Sequence, residues 1–162
     1  MTKSRIVKAL LAPASIVAAV VLQTILGGLW PNLCRFFDLP LIPVLYYAVA
    51  RGPRGALVAG ITAGLLQDSL EATLLGLNAL SKALAGYLVG VLGLRFALVP
   101  LILRVLVIAA ATVVSRSTEV ATLAIMGKRL SFIPDPHLIQ SVIGNCVLGI
   151  MLLSAPRRGT AR

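Results

Sequence analysis

The sequence predicts an all-α fold that crosses a membrane six times with both ends in the cytoplasm, and three features predict it. The first is composition. Of 162 residues, 59% are apolar and 12% are charged, against about 45–50% and about 25% in a soluble domain; mean hydropathy is +0.99. A soluble fold of this size has too little interior to hide so much apolar surface, whereas lipid covers it. The second is punctuation: apolar runs alternate with short clusters of Pro, Gly and charge. The third is where the cations fall. A net charge of +10 in a soluble protein would point to nucleic acid. Here Lys3, Arg5 and Lys8, Arg51 and Arg54, and Arg157, Arg158 and Arg162 flank apolar runs, as cytoplasmic cations of membrane proteins do. No nucleic-acid role is expected, and the length suits a single membrane-embedded domain, residues 1–162.

The first segment runs from Ala9 to Leu29. It is too long for the core of a secretory signal and right for a span. Its end, Gly27-Gly28-Leu29-Trp30-Pro31, has no small-x-small cleavage pattern, and Trp30 suits an aromatic anchor at the far interface. The second, Leu39 to Ala50, is short and carries Pro40 and Pro43; Phe36 and Phe37 extend it to the lower limit of a tilted span. Arg51-Gly52-Pro53-Arg54-Gly55 then breaks the chain. A re-entrant hairpin would leave Arg51 and Arg54 in the bilayer at about +2.5 to +3.5 kcal/mol each, so two crossings are cheaper.

The third segment spans Gly55 to Leu75, the fourth Leu77 to Leu94, and the fifth Phe96 to about Val114. Residues 115–136 are mixed, with an apolar patch from Val120 to Met126 and breakers at Pro134 and Pro136. A sixth fills Leu138 to Ala155. With six crossings and the N-terminus inside, the outer loops hold only Arg35, Arg116, Lys128 and Arg129, while Arg95 joins the inner cations. All five acids, Asp38, Asp68, Glu71, Glu119 and Asp135, fall at or near the outer side.

The third and fourth segments carry the polar chemistry. Gly60, Gly64, Gln67, Asp68 and Glu71 recur at helical spacings of three and four on one face, and so do Asn78, Ser81, Lys82, Gly86 and Gly90 on the next segment. Glycines four apart let membrane helices approach closely, and polar groups across the seam add about 0.6–2 kcal/mol each. The two segments are therefore expected to pack as a hairpin. Charges inside a span are costly and mark an internal pair, an ion path or a binding patch. Lys82 lies about 9 Å below the outer end of its helix, with Asp68 at similar depth across the turn. An Asp68–Lys82 pair fixing the helix register is the favoured reading, ahead of an ion relay or a partner-binding patch. Arg104 has no acid at its depth; it can snorkel to the cytoplasm, bond carbonyls freed near Pro100 or meet a partner's carboxylate.

No Ser/His/Asp set, CxxC, P-loop or HExxH occurs, and the single histidine, His137, is expected in a Pro-flanked loop with no nearby cysteine and only Asp135 as a carboxylate. Neither catalysis, nor a metal, nor a cofactor is expected. Cys34, near the outer face, and Cys146, inside a helix, are expected to be small buried hydrophobes and not a disulfide.

The run GLLQDSLEATLLGLNALSKALAGYLVG, residues 64–90, resembles the rod shape-determining protein MreD family. The matching positions are Gly64, Asp68, Gly76, Asn78, Ala79, Leu80, Ser81, Lys82, Gly86, Tyr87, Leu88 and Gly90, preceded by Tyr46-Tyr47-Ala48 and Gly52-Pro53-Arg54-Gly55. The resemblance implies a non-enzymatic scaffold of the bacterial cell-elongation machinery in the inner membrane. It would bind MreC and bear on RodA, a class B penicillin-binding protein and MreB. The family is also similar in helix arrangement to the substrate-binding component of energy-coupling-factor transporters, which makes a vitamin-capturing transporter subunit the alternative. A vitamin pocket needs aromatic and hydrogen-bonding residues at the outer mouth, and aromatic residues make up only 5% of this chain.

Overall fold

The computed structural model describes residues 3–30, 36–72, 74–95, 101–127 and 136–153, and these residues form five helices and no strand. They are α1 (Lys3–Leu29), α2 (Leu41–Leu70), α3 (Leu77–Arg95), α4 (Leu101–Ile125) and α5 (Pro136–Leu153).

Five helices account for six expected segments because the second and third are the two arms of α2. They meet at Gly52, where φ is 73° and ψ is −173°. A side chain strongly disfavours that backbone geometry, so glycine permits the elbow. Pro53 follows at the first position of the new arm, where its missing N–H costs nothing. The expected five-residue breaker is thus a single reversed residue. α2 ends at Leu70, short of Leu75, and Gly76 (φ 97°) turns the chain into α3.

Two other boundaries differ from expectation. α1 begins at Lys3, ahead of Ala9, and carries Pro13 within it. α4 begins at Leu101 and continues to Ile125, absorbing most of the apolar patch that starts at Val120. His137 falls in the first turn of α5 and not in a loop. Arg35, Cys34, Asp135 and the C-terminal arginines lie outside the described residues.

The packing runs in sequence, α1 on α2, α2 on α3, α3 on α4 and α4 on α5, with α2 and α3 in the most extensive contact. Their seam is made of small residues. A Cβ added at Gly60 would stand 2.6 Å from the Ala83 backbone, and one at Gly90 would stand 2.6 Å from Pro53 Cα. At Gly64 it would collide with the backbone of Asn78 and Ala79. Gly86 lies against Val44 of the first arm and Ala56 of the second, so α3 packs into the angle of the elbow. The apolar interior is correspondingly small-grained. One cluster joins Leu41, Leu45, Ala48, Ala56, Ala85, Val89, Val107, Ile108 and Ala111, and another joins Ile16, Val20, Val44, Ala59 and Ala63.

Polarity is inverted relative to a soluble bundle. Lys82, Asn145 and Asp68 are 0–1% exposed, while Ile102 is 76% exposed and Leu80, Leu84, Leu88 and Leu92 line the outside of α3. Contiguous apolar surface of this kind belongs against an apolar medium. The segments Leu77–Arg95 and Ile102–Ile125 are each long and apolar enough to cross a membrane.

Candidate functional site

The buried polar groups gather in one layer, at the end of the bundle opposite the elbow. Asp68, at the close of α2, accepts hydrogen bonds from the backbone N–H of Gly76 (2.8 Å) and of Asn78 (3.2 Å), and from Asn78 Nδ2 (2.8 Å). A carboxylate on the first N–H groups of a helix satisfies otherwise orphaned donors and complements the positive end of the helix dipole. The aspartate of one helix thereby caps the next and closes the hairpin.

Asn78 faces both ways. Its amide nitrogen serves Asp68, and its Oδ1 accepts from Lys82 Nζ at 3.1 Å. The carboxylate that ion-pairs with Lys82 is Asp38, at 3.1 Å, with the Lys82 side chain fully buried. The expectation of an Asp68–Lys82 pair is therefore corrected: Asp68 and Lys82 are linked through Asn78, and the salt bridge reaches back to the turn before α2. Depth counting assigned Lys82 to the acid nearest along the hairpin, but the turn that carries Asp38 folds down over it.

Side chains from three helices hold that turn. Gln23 of α1 donates from Nε2 to the Phe37 carbonyl (2.9 Å) and accepts the Leu39 N–H (3.2 Å). Asn145 of α5 accepts the Asp38 N–H at 2.9 Å and donates to Thr112 Oγ1 of α4 at 3.2 Å. Lys82 of α3 takes the Asp38 carboxylate. Gly144 lets the turn sit close, because a Cβ there would strike the Phe36 carbonyl.

A second branch joins α3, α4 and α5. Arg116 and Glu119 form an ion pair at 3.1 Å. The hydroxyls of Ser81 and Ser115 lie 3.3 and 3.4 Å from Glu119 Oε1, and Arg116 Nη2 reaches Ser141 Oγ at 3.4 Å. Every helix contributes to the layer, so it braces the bundle crosswise at one level. Buried polar groups in a low-dielectric setting are costly when left unbonded, and most of this layer is bonded.

Of the residues that the sequence singles out, Gly60, Gly64, Gly86 and Gly90 line the α2–α3 seam, and Asp68, Asn78, Ser81 and Lys82 belong to the layer. Gln67 is buried and donates to Glu71 Oε1 at 2.9 Å. Arg104 lies half-buried on α4, outside the layer as described, and is engaged within the chain. Sequence reasoning missed Gln23, Thr112, Ser115, Ser141 and Asn145. For the two amides the signal was available: Gln23 and Asn145 each interrupt an apolar run, where an amide is costly unless bonded. Among the described residues, no group of three or more His, Cys, Asp or Glu could hold a metal ion.

A polar interior wrapped in leucine and isoleucine, with helices of spanning length, defines a helical membrane protein. The family model of the rod shape-determining protein MreD matches residues 4–154, and the chain belongs to that family of bacterial membrane proteins that determine cell shape. No curated protein and no solved structure shows a significant match.

Proposed function

We propose that the protein is a non-enzymatic scaffold of the cell-elongation machinery, set in the bacterial inner membrane by six crossings with both termini cytoplasmic. It binds MreC, and through that contact bears on RodA, a class B penicillin-binding protein and MreB. The observation that carries the reading is the family match across residues 4–154. The geometry supports it. The charged groups of the polar layer are bonded within the chain, so what the bundle offers a neighbour is shape, an apolar exterior and a few polar contacts. Such contacts suffice for a partner helix.

Depletion in a rod-shaped bacterium that depends on this protein should give rounding and lysis with normal vitamin uptake, and affinity-tagged protein should retain MreC through detergent extraction. Normal rods with lost uptake would overturn the scaffold in favour of the transporter subunit.

The topology has its own test, in a chain whose native cysteines are replaced by serine. Leu75→Cys, at a residue 72% exposed in the α2–α3 turn, should react with an impermeant maleimide added to intact cells. Arg54→Cys, beside the elbow, should react only after the membrane is opened. Labelling of Arg54→Cys in intact cells would exclude the six-crossing arrangement.

A further inference from the structure

Among the described residues, two buried side-chain oxygens of the polar layer have no hydrogen-bond partner: Asp38 Oδ1 and Gln67 Oε1. Both residues are only 6% exposed. Such orphans are uncommon in folded proteins and call for a specific explanation. Beside Asp38 stands a donor with capacity to spare. The Lys82 ammonium has three N–H groups, and its hydrogen-bonded partners are Asp38 Oδ2 and Asn78 Oδ1, each at 3.1 Å.

The segments that carry these groups adjoin one another. Val20, Val44 and Ala63 pack together in one apolar cluster. One turn beyond Ala63 is Gln67, three residues beyond Val20 is Gln23, and the chain leading into Val44 carries Asp38, whose neighbour Leu39 is bonded to Gln23. Gln67 in turn holds Glu71, which lies within electrostatic reach of Lys82, Asp38 and Asp68.

We propose that one water molecule is bound within this layer, accepting from the Lys82 ammonium and donating to Asp38 Oδ1 and Gln67 Oε1. Water matches the count, with one acceptor role and two donor roles, and buried waters typically make about three hydrogen bonds to otherwise unsatisfied groups. A metal cation matches it poorly, because it would sit beside an ammonium. The bridge ties the second arm of α2 to the turn at Asp38.

The test is a structure of the purified protein in lipid nanodiscs, at a resolution where ordered waters are visible, together with melting in sodium chloride and in choline chloride at equal ionic strength. The proposal expects a solvent peak within about 3.2 Å of all three atoms and the same melting temperature in both salts. It expects Gln67→Leu to abolish the peak. Ordered side chains with no peak between them would overturn it, and so would a melting temperature that falls when sodium is withdrawn, which would identify a cation. Should Gln67→Leu not accumulate, the wild-type peak and the salt comparison decide alone.

Discussion

Lys82→Met is expected to leave far less folded protein than the double variant Asp38→Asn/Lys82→Met. The Lys82 side chain is 0% exposed and that of Asp38 8%, so neither charge can turn to water when its partner is removed. Stranding one member of a buried pair typically costs ~3–5 kcal/mol, most of it the desolvation of the charge left behind. Removing both charges lifts that penalty and leaves Asn78 and Asn145 their remaining bonds, so the double variant should recover most of the loss. Asp68→Asn provides the contrast. Its carboxylate serves the N–H groups of Gly76 and Asn78, and Lys82→Met should not rescue it. Melting in detergent, followed by size-exclusion recovery, measures all four variants. Rescue of Asp68→Asn by Lys82→Met would show that the ion pair is drawn to the wrong acid.

Gly64→Leu should be the most damaging change at the helix seam. The Cβ alone would overlap the backbone of Asn78 and Ala79, and backbone has no rotamer by which to yield. Overpacking a well-filled core costs about 1–3 kcal/mol, and more where main chain must move. Separating α2 from α3 would also pull Asp68 from the N-terminus of α3, so packing and polar losses arrive together. Gly28→Leu is the matched control, since a Cβ at Gly28 meets nothing within 4 Å. The pair can be compared as membrane-fraction abundance from one promoter. Equal accumulation of Gly64→Leu and Gly28→Leu would remove the seam from the account.

The hairpin was legible in the sequence because its determinants are local and periodic. Gly60 and Gly64 repeat at one helical turn, Gly86 and Gly90 do the same, and a short turn forces the two stripes to face each other. The elbow was legible as a break but not as a single residue, because Arg51-Gly52-Pro53-Arg54-Gly55 contains enough breakers for a longer loop. The partner of Lys82 was not legible. Asp38 belongs to a turn whose position depends on Gln23 and Asn145, one in the first helix and one in the last, and no spacing rule connects them. Helical depth places residues along an axis; it cannot say which irregular segment folds back over the end of a bundle.

The turn at Asp38 also has a history within the life of each molecule. Its carboxylate needs α3 and its N–H needs Asn145, which follows it by 107 positions. At a synthesis rate of about 5–20 residues per second, that is a delay of roughly 5–20 s between the turn leaving the ribosome and its last bond becoming available. Through that interval Lys82 enters before Asn145 has been made, and the early helices are held by their small-residue seam, the Asp68 cap and the Asp38–Lys82 pair. The N-terminal third of the chain is therefore among the first parts to be synthesised and among the last to settle. An aspartate from the beginning and an asparagine from the end complete the protein together.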